Sequence, residues 1–308
     1  FLIISLLLAV YFVGKNNFWF NQTDWLYGSG DLTNAQLSWQ FFKNDIWRFP
    51  IGLNPNYGLE ISNSIIFTDN IPLFAIIFKF LNPIIYENFQ YFSVWIFICF
   101  FLQLFISYKL VLSITKNNAL AIISSFLFLS CPFLIFRLSH HFSLGAQWLI
   151  LYSFYVAYFI PESKKKDFHW YLLIFLSLMT HLYFTVMVFT IYSFYVFEKI
   201  LINKKFGKEI INLFYKIIFS LILMFALGYF ESHLINAVSS GYGVFKIDIL
   251  SFFDPQLNNK KTWSFFLNDI PGTHLEGFSY IGFGNIILFI IAIIVFFISG
   301  NKKNINNI

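Results

Sequence analysis

Charge is scarce in this chain: 11% of its 308 residues are Asp, Glu, Lys or Arg, against 58% hydrophobic. That balance excludes a soluble globular domain, whose surface draws on roughly 25% charged residues. Cysteine is nearly absent, and Cys99 and Cys131 both sit inside apolar runs, which argues against a disulfide framework. There is no phosphate-cradling Gly-Lys-Ser/Thr loop, no nucleophile elbow and no paired-cysteine metal motif, so the common soluble enzyme signatures drop out. No short internal repeat recurs. The formal charge of +5 does not point to nucleic acid, because the lysines gather in short clusters between apolar runs, where orientation signals belong.

What the chain has is apolar material in helix-length runs, 45 Phe included, and not in alternating ten-residue strands. Helices satisfy their own backbone hydrogen bonds in lipid, so the expected fold class is all-α, a polytopic membrane protein. The runs 1–14, 88–114, 118–136, 143–161, 168–180, 182–202, 217–235 and 282–299 predict about eight transmembrane helices in one domain over 1–308. The run 71–86 is interrupted by Lys79 and Pro83 and reads as a partial insertion. If it does not cross, twelve of the twenty basic residues face one side: Lys109, Lys116, Lys164, Lys165, Lys166, Lys199, Lys204, Lys205, Lys208, Lys216, Lys302 and Lys303. The positive-inside tendency makes that side cytoplasmic, with both chain ends on it. Long loops at 15–70 and 236–280 then lie outside and carry short helices. The first run, FLIISLLLAVYFV, opens without Met and is short for a span, so the first helix is expected to have lost residues.

The stretch Tyr27 to Pro72 concentrates chemistry. Five acids fall between Asp24 and Asp69 (Asp24, Asp31, Asp45, Glu60 and Asp69), and Gly and Pro break any continuous helix. Carboxylates on a loop held between spans are where function is sought first. His181 is centred in 168–202, which argues for a helix break there. It would put the imidazole at the floor of a cavity or, equally, on a neighbouring helix, since a buried ring needs hydrogen-bond partners. SHHF places His140 beside His141, but adjacent helical residues point about 100° apart and seldom share a metal.

The segments GSGDLTNAQLSWQFFKNDIWRFPIGLNPNYGLEISNSIIFTDNIPLFAIIFKFL, FQYFSVWIFICFFLQ, FRLSHHFSLGAQWLILYSFY, SGYGVFKIDILSFFDPQ and TWSFFLNDIPGTHLEGFSYIGFGNI carry a resemblance. Over roughly 28–155 and 236–290 the chain resembles uncharacterised bacterial multi-pass proteins related to the GT-C superfamily, membrane glycosyltransferases that use polyprenyl-phosphate sugars. It departs at Leu32, where Pro or Ala follows the loop Asp, and at Ala146-Gln147, where Ala-His precedes the later Trp. Members are longer at the C-terminus, so a soluble outer part is expected after Ile308.

The resemblance implies inverting transfer of a sugar from a polyprenyl-phosphate carrier, of undecaprenyl type, to an extracytoplasmic glycan, lipid or protein at a bacterial inner membrane. It implies Asp31 as base, with Asp69 the second catalytic candidate; raising the pKa of one would suit acid/base work if both line one cavity. Asp31 could instead cap a loop helix, and Asp69 could cap one carrying Pro72 in its first turn. Arg137, His140 and His141 are candidates for the lipid phosphate, although Arg137 could simply snorkel. Gln36, Tyr57, Glu60, Trp148, His181, Glu276 and Tyr280 are candidates for sugar or acceptor. Trp39 and Trp47 belong with these, although interfacial aromatics commonly only anchor helices. Mg²⁺ or Mn²⁺ is compatible with carboxylate-rich loops, but no ligand spacing shows in the sequence. A non-catalytic scaffold of envelope glycan assembly is one rival. A transporter is another, and the acids in outer loops and the lack of a half-repeat count against it.

Overall fold

The computed structural model describes residues 1–28, 30–58, 63–203, 206–231, 247, 249–258, 261–270 and 277–299. It is mostly helical. The helices are α1 (Leu2–Val13), α2 (Gly30–Asn44), α3 (Pro72–Phe80), α4 (Phe92–Thr115), α5 (Asn118–Leu129), α6 (Pro132–His140), α7 (Trp148–Phe159), α8 (Lys164–Leu178), α9 (Leu182–Asn203), α10 (Phe206–Leu227) and α11 (Phe283–Ser299). Two-residue strands β1 (Leu53–Asn54) and β2 (Asn63–Ser64) pair antiparallel, as do β3 (Leu257–Asn258) and β4 (Lys261–Thr262).

The eight crossings expected from hydropathy are not met. Four described helices are long and apolar enough to cross a membrane: α4, α7 with the turn before it (Phe142–Phe159), α9 and α10; a fifth is counted if α5 and α6 form one broken span. The cause is length. A crossing takes about 20 residues, whereas α8 has 15. The outward faces of the long helices are apolar: Ile222, Phe214 and Phe225 of α10 are each more than half exposed, a surface that water would not tolerate at this extent.

By its contacts the chain divides into two compact units, one of Phe1–Leu129 with Arg137–Ala237 and one of Ser130–Phe136 with Val238–Ile308. In the second, Phe136, Phe278, Tyr280 and Ile286 form a small apolar cluster. Asp254 is fully buried there, its Oδ1 accepting the Gln256 and Ile270 backbone N–H groups at 3.1 and 3.0 Å.

In the first unit, hydrogen bonds and ring contacts join successive helices. The Trp95 indole at the start of α4 donates to the Phe142 carbonyl just before α7 (2.7 Å), and the Tyr108 hydroxyl near the other end of α4 meets Asn118 at the start of α5 (3.0 Å). The α7–α8 turn and the facing ends of α9 and α10 share a network of charges. Glu162 takes Lys166 and Lys199 at 2.8 and 3.0 Å together with the Tyr195 hydroxyl. Lys199 also reaches Glu209 at 3.2 Å, and Lys216, almost wholly buried, pairs with Asp167. Burial alone would raise the Glu162 pKa, but the three donors outweigh it and hold it at about 2.

The first long loop is packed, not slack. Helix α2 buries Ala35, Gln36, Ser38, Trp39 and Phe42. Trp39 donates to the Phe89 carbonyl (2.9 Å), and Asn82 donates to the Lys43 carbonyl (3.1 Å). Helix α3 has nine residues, a rise of roughly 14 Å, which is too short to cross a bilayer. Its Lys79 is buried, with the ammonium on the Ile46 carbonyl (3.2 Å) and 4.0 Å from the Phe42 ring centre. The turn before β1 lies against the end of α10: Ile51 N–H donates to the Ala226 carbonyl (2.8 Å), and a Cβ on Gly52 would fall 2.3 Å from the Leu227 carbonyl oxygen. Only glycine permits that approach. Gly52→Ala is therefore expected to destabilise the chain by about 1–3 kcal/mol, read as a lower melting temperature in detergent. An unchanged melting temperature would mean that the loop does not pack on α10.

Candidate functional site

The site is built around Asp69. Helix α3 starts with Pro72 at its first position and Ile71 as the residue before it, which makes no side-chain cap. Asp69 is therefore not the cap of α3. Its backbone is left-handed, φ 53°, a conformation that Asp tolerates better than most residues. The residues on either side hold it there. Thr68 bonds to the Ser38 hydroxyl (2.7 Å), and Asn70 donates to the Ala35 carbonyl (3.1 Å) while accepting from the Tyr91 hydroxyl (2.7 Å). Leu73 N–H donates to the Met179 carbonyl (2.9 Å), which ties the same corner to the α8–α9 turn.

Facing Asp69 is the turn between α6 and α7. Helix α6 ends at His140, and His141 N–H closes on the Arg137 carbonyl (2.7 Å). A 3₁₀ turn over Phe142–Gly145 follows. A Cβ on Gly145 would lie 2.0 Å from Leu138 Cδ2, so the turn can close only on glycine. It is this closure that brings Ser143 to Asp69: the Ser143 hydroxyl and backbone N–H (3.3 Å) both donate to Asp69 Oδ1.

His141 stands between two carboxylates. Its Nδ1 is 3.9 Å from Asp69 Oδ2, and its Nε2 is 3.9 Å from Asp31 Oδ2. The two acids differ in surroundings. The Asp31 side chain, in the first turn of α2, is 56% exposed; that of Asp69 is 14% exposed. Asp69 Oδ2 is shut off from solvent and accepts no hydrogen bond. Burial pushes the Asp69 pKa up to about 7, the hydrogen bonds from Ser143 and the Phe142 backbone pull the other way, and the Asp31 charge adds to the rise. Among the described residues Asp31 makes no capping hydrogen bond.

His181 completes the cluster from the α8–α9 turn. The predicted helix break falls there, between Leu178 and Leu182. Its Nδ1 accepts the Tyr183 N–H (3.1 Å), so the neutral ring carries its proton on Nε2. Burial, and then the neighbouring His141, push its pKa down to about 4. All of these groups belong to the first unit, at the end where α4, α7 and α9 begin.

The remaining candidates fall as follows. Arg137 and His140 are half-buried on the last turn of α6, and His140 Nδ1 meets the Ser139 hydroxyl at 2.8 Å. Gln36 is fully buried on α2, and neither end of its amide has a hydrogen-bond partner. The Tyr57 hydroxyl is taken by Asn34. Trp148 is buried at the head of α7 with its indole toward the Cys99 thiol, and Trp39 serves as a strut. Trp47 is exposed and 4.9 Å from the Lys79 ammonium. Tyr280 is buried in the second unit. Glu60 and Glu276 lie outside the described residues. Asp45 is paired with Arg48 at 3.0 Å, whose hydrogen bond holds its carboxyl below the usual range. Among the described residues no three His, Cys, Asp or Glu side chains are arranged to hold a metal ion.

Ser143, Asn70 and Tyr91 do not stand out in the sequence. Ser143 is 74 positions from its partner Asp69. The nearest hint is its place two residues after His141.

The arrangement defines a helical chain with four helices able to cross a membrane and a carboxylate–imidazole cluster where three of them begin. The chain belongs to the family described as a domain of unknown function (DUF6311), which matches residues 2–307. No curated protein and no solved structure matches it.

Asp69 supplies a pH signature. A carboxyl whose folded-state pKa, about 7, lies above the ordinary 3.8 contributes stability that is complete below 3.8. The contribution is lost as pH rises through 7. The melting temperature of the detergent-solubilised protein is expected to fall between about pH 4 and 7 and to level off above, and Asp69→Asn, which keeps the shape without the charge, is expected to flatten that slope. An unaltered slope in Asp69→Asn would mean that Asp69 ionises as an ordinary surface acid.

Proposed function

We propose that this chain is a glycosyltransferase of a bacterial inner membrane, moving a sugar from a polyprenyl-phosphate carrier to an extracytoplasmic acceptor with inversion. The observation that carries the reading is the pair of unequal carboxylates, Asp31 exposed and Asp69 buried, at one end of the long helices. An acceptor hydroxyl attacking an anomeric carbon sheds its proton as the new C–O bond forms, and an exposed carboxylate at hydrogen-bond reach can take it. The carrier phosphate leaves with the bonding electrons and requires donors set in advance near the head groups. Arg137 and His140, on the final turn of α6 beside the cluster, are suited to that place. Gln36, buried with an unsatisfied amide, is suited to a hydroxyl-rich ligand or ordered water.

The orientation rests on charge. Lys109, Lys116, Lys164, Lys165, Lys166, Lys199 and Lys208 lie toward the helix ends opposite the site. The positive-inside tendency makes those ends cytoplasmic and the site outer. Cysteines placed at Asn118 and Lys165 are expected to resist a membrane-impermeant reagent in intact cells, and ready labelling of both would invert the topology and remove the site from its substrates.

Asp31→Asn keeps size and hydrogen bonding but cannot take the proton. It is expected to cut glycan product formation about 100-fold or more with an unchanged melting temperature. Full product formation by Asp31→Asn would remove Asp31 from the role of base.

A further inference from the structure

The proton taken from an acceptor has to go somewhere, and the contacts of His141 suggest where. We infer that His141 relays that proton from Asp31 to Asp69, so that it is stored in a buried carboxyl while the carrier phosphate departs. The inference rests on the transferase reading for the source of the proton. The bridge itself rests on geometry alone.

Three observations carry it. His141 turns one ring nitrogen to each acid, Nε2 to Asp31 Oδ2 and Nδ1 to Asp69 Oδ2, both at 3.9 Å. These separations exceed hydrogen-bond length, and catalytic hydrogen bonds often tighten only in the substrate complex. A neutral imidazole has one N–H and one lone pair, so it can accept at one nitrogen and donate from the other. Second, Asp69 Oδ2 is buried with no hydrogen-bond partner, while Ser143 holds Oδ1 from two donors. The carboxylate is fixed at one oxygen and left open at the oxygen that faces His141. Third, the neighbouring imidazole cannot take the role, because His181 Nδ1 is occupied by the Tyr183 N–H.

The placement also decides what His141 is suited to bind. A phosphate brought against this ring would meet two carboxylates as well, and like charges at such range repel. A cation or a proton is drawn to the same place by both. His141 therefore fits proton transfer better than phosphate binding, which leaves Arg137 and His140 to the leaving group.

The step balances. The acceptor O–H bond breaks, its electron pair stays on oxygen to form the glycosidic bond, and the proton moves to Asp31. It then passes to His141 Nε2, while the proton on Nδ1 passes to Asp69 Oδ2. The net change is one proton from acceptor to Asp69, with no oxidant or reductant. A buried carboxyl whose pKa lies near 7 can receive a proton and release it again near neutral pH. The groups that bear on the titration are Asp31 from α2, Asp69 before α3, Tyr91 at the head of α4, the Ser143 hydroxyl and the Phe142 and Ser143 backbone N–H groups, His181 from the α8–α9 turn, and Arg137 and His140 on α6.

The test is a histidine titration of the whole chain, labelled with ¹⁵N-histidine in lipid nanodiscs, with the His141 signal identified from its loss in His141→Gln. Each carboxylate near the ring favours imidazolium, so Asp31→Asn and Asp69→Asn are each expected to lower the His141 midpoint by about one unit or more. A midpoint that follows only one of the acids, or neither, overturns the relay. In the product assay, His141→Ala is expected to lower the rate about 100-fold and to regain much of it with added imidazole; a rate equal to the parent's with the same pH profile overturns the relay. The titration reads the bridge however the product assay falls. A silent titration with an Asp31-dependent product removes the relay alone, and product formation by Asp31→Asn removes the base.

Discussion

Taking a carboxylate away from water is the constraint to which the rest of this chain answers. An ionised Asp in an apolar setting is costly unless donors meet it or it takes up a proton. At Oδ1 Asp69 is given the Ser143 hydroxyl and N–H, the Phe142 backbone N–H also favours its anion, and Oδ2 accepts no hydrogen bond. The intermediate result is a carboxyl that titrates near neutrality. Everything around it serves to keep that half-satisfied state in place. Thr68 and Asn70 clamp the left-handed corner onto α2, Tyr91 braces Asn70 from the head of α4, and Leu73 anchors the start of α3 to the α8–α9 turn. Removing any of these supports would let the corner relax and Asp69 find water.

The helices divide the chemistry by their ends. Their outward sides are largely apolar, and the charged clusters lie toward the two rims. One rim holds Lys166, Lys199 and Lys216 matched to Glu162, Glu209 and Asp167, with Glu162 held at about 2 by its donors. Those charges are satisfied. The other rim holds Asp31, Asp69, His141 and His181, where burial lifts Asp69 to about 7 and keeps the His181 ring neutral. A saturated network favours structure, and an unsaturated one at a helix mouth favours chemistry, because perturbed pKa values collect where groups are under-compensated. The contrast between the two rims separates the candidate site from the many other polar contacts of the chain.

Much of this was legible beforehand, for definable reasons. Acids and histidines are conspicuous in a chain with so little charge, and Asp31, Asp69, His141 and His181 all stand among the candidates, Asp31 chiefly through the resemblance and His141 for the lipid phosphate. The helix break at His181 followed from the cost of a buried ring inside one long span. Partners of ordinary type were not legible. Ser143 is one serine among many, and its value comes from a 3₁₀ turn that only Gly145 allows. Asn70 was hidden next to a more conspicuous neighbour. Hydropathy registers composition and not where a helix starts or stops: α8 has 15 residues, and its first turn is charged.

The asymmetry between the two acids is what gives the cluster a direction. Two equally exposed carboxylates around one imidazole would share a proton with no preference, and two equally buried ones would both resist ionisation. Here the exposed acid, in the first turn of α2, is open to solvent and to whatever enters from it. The buried one has a higher proton affinity than an ordinary Asp because burial, and then the charge of Asp31, disfavours its anion. A proton captured at Asp31 therefore gains by moving inward. His141 spans the gap with a nitrogen on each side, and the Ser143 bonds keep Asp69 from binding the proton too tightly to give it back. Strengthening those bonds would lower Asp69 toward an ordinary acid and cancel the drive. Removing them would raise it further and trap the proton. The single serine sets the balance between the two.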